Sequence, residues 1–425
     1  MQNLQEQYNL KEKKVKNNFN ALSYDSIFFN ISTSFIDPGT IIPSFVSMLT
    51  SSPVLIGLTT TIRNCGWFLP QLLVARRAEG LPYKKPLVLI GAILYRFALL
   101  SIILSAFLAV KTPNLALILF FLFFTLMSFA DGITGVPWID LFAKSIPVPM
   151  RGRYYSKTQF LSGSLSFLTG FIIKGILNVK TIIFPYNYII IFSLALLFAL
   201  LSFFSFSRLI EDEKSKTNNA PSLAEYLKGI PLVFKSDKDF SRLILVNTLF
   251  RFFFLPLPFY ITYARTNLGL PEDMVGIFVS FQMVGFIIAG LIFGRVNDIF
   301  GSKKVIKITG YLITLPPVLA LLSNLLFLKH LPYIPLYIMI FMLIGATNSG
   351  IWVGIFNYLL KIAPEEKRPL YIGLINTLTA PTTFLPLLGG VIIENFSYII
   401  MFLFAEIFLV CGLISSFSLR HIDGD

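Results

Sequence analysis

Apolar residues run along this chain in stretches long enough to cross a bilayer, each closed by a short polar cluster, from residue 26 to residue 419. A helix rising about 1.5 Å per residue needs roughly 20 apolar residues to span about 30 Å of hydrocarbon. Twelve such runs can be laid out: Ser26–Leu49, Val54–Val74, Leu87–Val110, Leu115–Ile139, Tyr155–Leu177, Tyr188–Phe206, Leu243–Tyr263, Met274–Phe293, Ile306–Leu328, Tyr333–Leu360, Tyr371–Ile393 and Tyr398–Leu419. Only helices or closed barrels satisfy the backbone inside lipid, and strands this long and evenly apolar do not occur in barrels. The pattern therefore predicts an all-α integral membrane protein of twelve transmembrane helices. Residues 207–240 break the rhythm: they hold Glu211-Asp212-Glu213-Lys214, then Pro221 opening an amphipathic helix to Phe234. They read as the linker between halves 24–206 and 241–420. Residues 1–23 and 421–425 read as polar tails.

Composition sharpens this. The chain has 425 residues, 55% of them hydrophobic and 13% charged, and that charged share is about half of what a soluble domain carries. The net charge of +13 raises nucleic acid as a partner, but the basic residues fall in short clusters between apolar runs and assemble no soluble basic face. Positive-inside topology accounts for them instead. Lys11, Lys16, Arg76, Lys84, Arg151, Lys214, Lys303 and Lys367 fall with most other cations on one face; the opposite face has Lys111, Lys180, Arg265 and Lys329. Both termini and the linker are expected in the cytoplasm, and the plasma (inner) membrane is the expected location. Cys65 and Cys411 lie inside apolar runs, so no disulfide framework is implied. Two histidines, His330 and His421, argue against a histidine-held metal centre; no cofactor is expected.

Gly294-Arg295-Val296-Asn297-Asp298-Ile299-Phe300-Gly301-Ser302-Lys303-Lys304 is a polar turn between two spans. It recurs weakly 219 residues earlier, where Arg76, Glu79 and Lys84-Lys85 fall under Arg295, Asp298 and Lys303-Lys304. At an offset of 217, Ile146-Pro147 with Arg151 and Arg153 matches Ala363-Pro364 with Arg368, while Asp140 falls on Asn357 and Asp131 on Asn348. Two matches at nearly one offset imply a duplication, hence two six-helix pseudo-repeats. Gly-x-x-x-Asp-x-x-Gly-x-Lys-Lys between two membrane spans, carried by Gly294, Asp298, Gly301, Lys303 and Lys304, resembles the loop signature of the major facilitator superfamily of secondary transporters. The resemblance implies alternating access, a central cavity lined by spans one, four, seven and ten, and a cytoplasmic gate at Glu79, Asp140, Arg151, Arg153, Gly294, Asp298, Gly301, Lys303, Lys304 and Arg368. The chain lacks the arginine-containing fourth-span motif of many proton-coupled members and the glycine-proline fifth-span motif of drug/proton antiporters.

Charges inside lipid are costly and mark function by default. Asp37-Pro38-Gly39 interrupts the first span, and Arg63 on the second is expected to neutralise Asp37 or bind an anionic group. In the fourth span Asp131, Thr134 and Trp138 share one helical face, with Gly132 and Gly135 leaving room for water; the alternative is that Asp131 only pairs with Arg63 or Arg96. Asn348 and Trp352 are the corresponding polar stretch in the second half. Arg251 lies in the seventh span beside Pro256 and Pro258. These eight residues are the candidates for substrate or coupling-ion contact. Arg96 and Glu406 read as structural pairs, and Gly285, Gly290 and Gly294 as a packing stripe.

The function read from these features is secondary active transport of a small organic solute, with a coupling proton or cation as a further partner. No ATP-binding loop of the Gly-x-x-x-x-Gly-Lys-Ser/Thr type occurs. Two rivals come from other classes. One is a non-transporting sensor or lipid scramblase of the same fold. The other is a membrane-embedded enzyme, which the scarcity of histidine and the lack of a nucleophile–base pair disfavour.

Overall fold

The computed structural model describes residues 2–79, 81–211, 237–364 and 368–420, and the described residues are helical with short connections. The helices are α1 (Gln2–Phe35), α2 (Ile41–Ser47), α3 (Pro53–Glu79), α4 (Lys85–Ala106), α5 (Pro113–Ser145), α6 (Val148–Asn178), α7 (Tyr186–Ser207), α8 (Lys238–Phe250), α9 (Phe259–Thr266), α10 (Met274–Phe300), α11 (Ser302–Leu328), α12 (Ile334–Ile362), α13 (Arg368–Thr379), α14 (Leu385–Asn395) and α15 (Tyr398–Phe417). Among the described residues, ten helical segments are long and apolar enough to cross a membrane. The remaining two expected spans correspond to α1–α2 and α3, whose polar residues keep them below that mark.

Prolines set the breaks. The chain leaves α1 at Phe35, passes Asp37-Pro38-Gly39 as a turn and re-enters helix at Ile41, as the sequence predicts. In the seventh span α8 gives way to a tight 3-10 turn at Arg251–Phe254, and helix resumes only after Pro256 and Pro258, which have no N–H to donate. Ala380–Phe384 interrupts the eleventh span in the same way. Pro70, Pro137, Pro316 and Pro317 are instead absorbed inside α3, α5 and α11.

Two compact units result. The first holds Met1–Asp37, Ile62–Thr169 and Val179–Ala220; the second holds Pro38–Thr61, Gly170–Asn178 and Pro221–Asp425. They differ from the halves 24–206 and 241–420 in that Pro38–Thr61 and Gly170–Asn178 fall in the second unit. In the second unit, Arg265 on α9 donates to the Ser44 carbonyl at 3.4 Å and to the Ser44 and Ser47 hydroxyls at 3.1 and 3.2 Å.

The amino-terminal stretch differs from the expected tail. Residues 2–23 continue α1 as helix, with Phe19 and Leu22 buried beside Tyr154 and Phe206. Asn18 exchanges two hydrogen bonds of 2.9 Å with the backbone of Ile210, and Asn17 donates to the Arg208 carbonyl. The start of the expected linker is therefore tied down. The Glu211 carboxylate accepts the backbone N–H groups of Lys84 and Lys85 at 2.8–3.0 Å, while the Lys85 ammonium donates to the Ser207 and Leu209 carbonyls at 2.7 Å. An acid thus meets the amino end of α4 and a cation the carboxyl end of α7, each opposing a helix dipole. Residues 212–236, with Pro221 and its expected helix, and residues 421–425 lie outside the described residues.

The expected turn at Gly294–Lys304 is much shorter in the structure. Helix α10 runs on to Phe300 and α11 starts at Ser302, so Gly301 alone makes the reversal. Its φ of 79° and ψ of 167° lie in a region open essentially only to glycine.

Candidate functional site

Close backbone packing builds the polar centre of the first unit. A Cβ on Gly132 of α5 would run into the carbonyl oxygen of Gly66 on α3, and one on Gly66 into Ser128. These glycines let α3 and α5 touch through their backbones. The sequence expectation that Gly132 leaves room for water is therefore corrected: the Gly66 backbone fills that space. Gly135 does face a cavity.

The contact brings Arg63 to Asp131. Arg63 Nη2 donates to Asp131 Oδ2 at 2.6 Å, with the side chains 22% and 5% exposed. Of the two partners open to Arg63 from the sequence, Asp37 and Asp131, the structure pairs it with Asp131 on the fourth span; half-buried Asp37 acts on it as a nearby charge. Arg63 Nη1 is buried and has no hydrogen-bond partner.

Asp131 of this pair lines a partly open cavity of about 330 Å³ in the first unit. Asp131, Thr134 and Trp138 all line it, as their shared face predicts. The Thr134 hydroxyl is taken up by the Asp131 carbonyl at 2.7 Å. The Trp138 indole lies flat on Phe142, 5.8 Å between centroids, and donates Nε1–H to Asp25 Oδ2 at 2.9 Å.

Asp25 is the residue that the sequence reading missed. It stands between the expected tail 1–23 and the first apolar run at Ser26, where no candidate is expected. The usable signal was the spacing of Val15, Phe19 and Leu22, which continues the helix upstream of that run. Asp25 is 8% exposed, and its second oxygen accepts the Ser202 hydroxyl at 2.6 Å. Ser202 also accepts Arg96 Nη2 at 3.2 Å, so one hydroxyl bridges the acid and the base. Nothing in the apolar run around Ser202 marks it. Arg96 spends its other donors on the Ala199 and Ala92 carbonyls and stacks over Phe203 at 5.1 Å. Its sequence assignment to a structural pairing becomes a set of neutral acceptors rather than a carboxylate.

The second-half candidates belong to the second unit. Arg251 opens the 3-10 turn and is half-buried. Asn348 is half-buried, and Trp352 is 67% exposed with Phe356 as its aromatic neighbour. Of the glycine stripe, Gly285 abuts the Met342 backbone of α12, whereas Gly294 has open space.

Among the gate candidates, Asp140 lies between Lys84 and Lys144 at 2.7 and 2.6 Å. Arg151 donates to the Ala143 and Ile146 carbonyls at 2.8 and 3.2 Å, closing the carboxyl end of α5, and the Arg153 guanidinium sits 5.9 Å from the Phe19 ring. Asp298 and Lys304 are exposed, Lys303 is half-buried, and no ion pair to Asp298 occurs among the described residues. The side chains of Glu79 and Arg368 lie outside the described residues. No group of three or more His, Cys, Asp or Glu placed to hold a metal occurs among the described residues.

A helical membrane protein with buried, paired charges around an internal cavity is the class that this fold and site define. Residues 243–423 match the family model of the Major Facilitator Superfamily. Those residues carry that family's sequence pattern, and over nearly the whole chain the fold is that of the solved transporters it resembles. Similar solved structures include a bacterial homologue of the iron transporter ferroportin in an inward-facing state, with TM-score 0.72 and 14% identity over 94% of this chain and 98% of that one. A mutant of the nucleoside transporter NupG follows, with TM-score 0.69 and 14% identity over 96% and 100% of the two chains. The xylose transporter XylE from E. coli, partially occluded and inward open, has TM-score 0.67 and 13% identity over 96% and 100%. At these identities the likeness is one of fold. No curated protein matches the sequence.

Proposed function

We propose that the protein moves a small organic solute across the membrane by alternating access, driven by a gradient, with both termini in the cytoplasm. The observation that carries this reading is the Arg63–Asp131 pair at the wall of a cavity inside a transporter fold. A paired charge deep in a span costs stability unless it is used, and polar groups at such depth commonly mark substrate or ion pathways. Asp131 keeps one oxygen that the pair does not occupy, and Arg63 keeps one buried nitrogen without a partner. Both are free to exchange partners when a solute or coupling ion arrives. The gradient itself supplies the energy, through a proton or another cation.

The test is flux in proteoliposomes under imposed proton and sodium gradients. The solute panel covers amines, amino acids, sugars and nucleosides, with xylose and divalent iron included because fold neighbours are named for them. Accumulation of one solute that collapses with its gradient supports the reading. Folded protein that moves no solute but scrambles fluorescent lipid would overturn it in favour of the scramblase alternative.

A further inference from the structure

The cavity of the first unit has a chemistry that selects the sign of its occupant. Three charged side chains line it: Asp25, Asp131 and Arg96. Arg96 is already committed. Its Nε and Nη2 go to the Ala199 carbonyl, Nη2 also reaches Ser202, and Nη1 goes to the Ala92 carbonyl. A guanidinium has five N–H groups in a fixed fork, so too little is left here to clamp an anion.

Asp25 is in the opposite position. Its two oxygens each take one hydrogen bond, from Trp138 and Ser202, and both donors are neutral. A carboxylate offers about four lone-pair sites, so acceptor capacity remains. Among the described residues no cation forms a direct ion pair with it; Arg96, spent on neutral acceptors, reaches it through the Ser202 hydroxyl and acts on it as a nearby charge. Around it the walls are aromatic: Phe29, Trp67, Tyr95, Trp138, Phe203 and Phe206. Aromatic faces attract cations and strip little hydration from an apolar group. An unpaired carboxylate at one end of an aromatic cage is the arrangement that holds an ammonium group with an attached ring or chain.

We propose that this cavity binds a small organic cation, a protonated amine carrying an apolar body, with Asp25 as its counter-ion and the Trp67 and Trp138 faces over the ammonium and its substituent. The cavity volume of about 330 Å³ is near the lower limit of roughly 300–1,000 Å³ for ligand pockets, so the amine is small. A hard divalent metal is the poorer match, because it takes six or more oxygens and here shares the lining with six aromatic rings and the Arg96 guanidinium. A soft one prefers imidazole or thiolate, and neither lines the cavity. The inference rests on the transport reading only for what the amine does there, namely serve as cargo.

Calorimetric titration of the full-length protein in lipid nanodiscs tests the site. The probes are 2-phenylethylammonium, 3-phenylpropionate with a similar ring and length but the opposite charge, and manganese(II) chloride alone. The ammonium is expected to bind, and the carboxylate and the metal are not. Asp25→Asn, which keeps the shape and an acceptor for Trp138, is expected to weaken the ammonium by about tenfold or more. Trp67→Leu, which touches no hydrogen bond of the network, is expected to weaken it several-fold and serves where Asp25→Asn fails to fold. Equal binding of the carboxylate, full affinity in a folded Asp25→Asn protein, undiminished affinity in Trp67→Leu, or Asp25-dependent manganese binding without amine binding would each overturn the proposal. Flux separates the two readings: amine binding with no flux of any solute sinks transport and leaves the site, while flux of another solute with no amine binding sinks the site and leaves transport.

Discussion

Replacing Asp131 by Asn removes one charge from a pair whose N···O distance is 2.6 Å. At an effective dielectric of about 20, two unit charges about 4 Å apart attract by about 4 kcal/mol. Removing one partner of a buried pair typically costs roughly 3–5 kcal/mol, because the other charge is left without compensation. The Arg63 side chain keeps 22% exposure, so the lower end of that range, about 3 kcal/mol, is the expected loss for Asp131→Asn. Arg63→Gln combined with Asp131→Asn removes both charges and keeps amide-sized groups that can hydrogen-bond. The double variant is expected to recover about 2 kcal/mol of that loss, a coupling of the size seen for residues in direct contact. Denaturation in mixed micelles, followed by far-UV circular dichroism, measures all four corners of the cycle. Transport then separates structure from function. A pair that only holds α3 to α5 regains transport along with stability in the double variant. A pair that handles solute or coupling ion regains stability and stays inactive, and this second outcome is expected. A single Asp131→Asn variant as stable as the wild type, with coupling below about 0.5 kcal/mol, would refute the pair. Full transport in the double variant would refute its role in the cycle.

The remaining predictions concern topology and the loop. In a background lacking Cys65 and Cys411, a cysteine at exposed Lys304 is expected to label from the cytoplasm and one at exposed Asn267 from outside; the reverse pattern sinks the orientation inferred from the charges. Gly301→Ala puts a Cβ on a backbone with φ 79°, ψ 167° and should cost about 1–3 kcal/mol of stability, read in the same denaturation assay. An unchanged midpoint would mean that the reversal between α10 and α11 relaxes freely. Asp298→Asn removes an exposed carboxylate with no ion pair here, so the stability of this conformer should change by no more than about 0.5 kcal/mol. Any role in gating then has to show as altered accessibility of cytoplasmic cysteines, and a large loss of stability would contradict the exposed position.

The all-helical membrane class, the break at Asp37-Pro38-Gly39 and the shared face of Asp131, Thr134 and Trp138 were legible in the chain alone. Each depends on residues near one another in sequence: a run of apolar residues long enough to span lipid, a proline without an N–H, or a helical repeat of 3.6. The charges around the first cavity were not legible. The sequence leaves Arg63 open to Asp37 or Asp131, and the Gly66–Gly132 backbone contact decides for Asp131. Asp25 lies just ahead of the first apolar run, and it becomes part of a buried helix face only because α1 continues upstream of that run and packs against α7. Ser202 carries no signal in an apolar run, yet it joins Asp25 to Arg96. Sequence patterns mark which helix face a residue occupies. Which other face it meets depends on how closely two backbones approach and at what register, and packing between distant helices decides that.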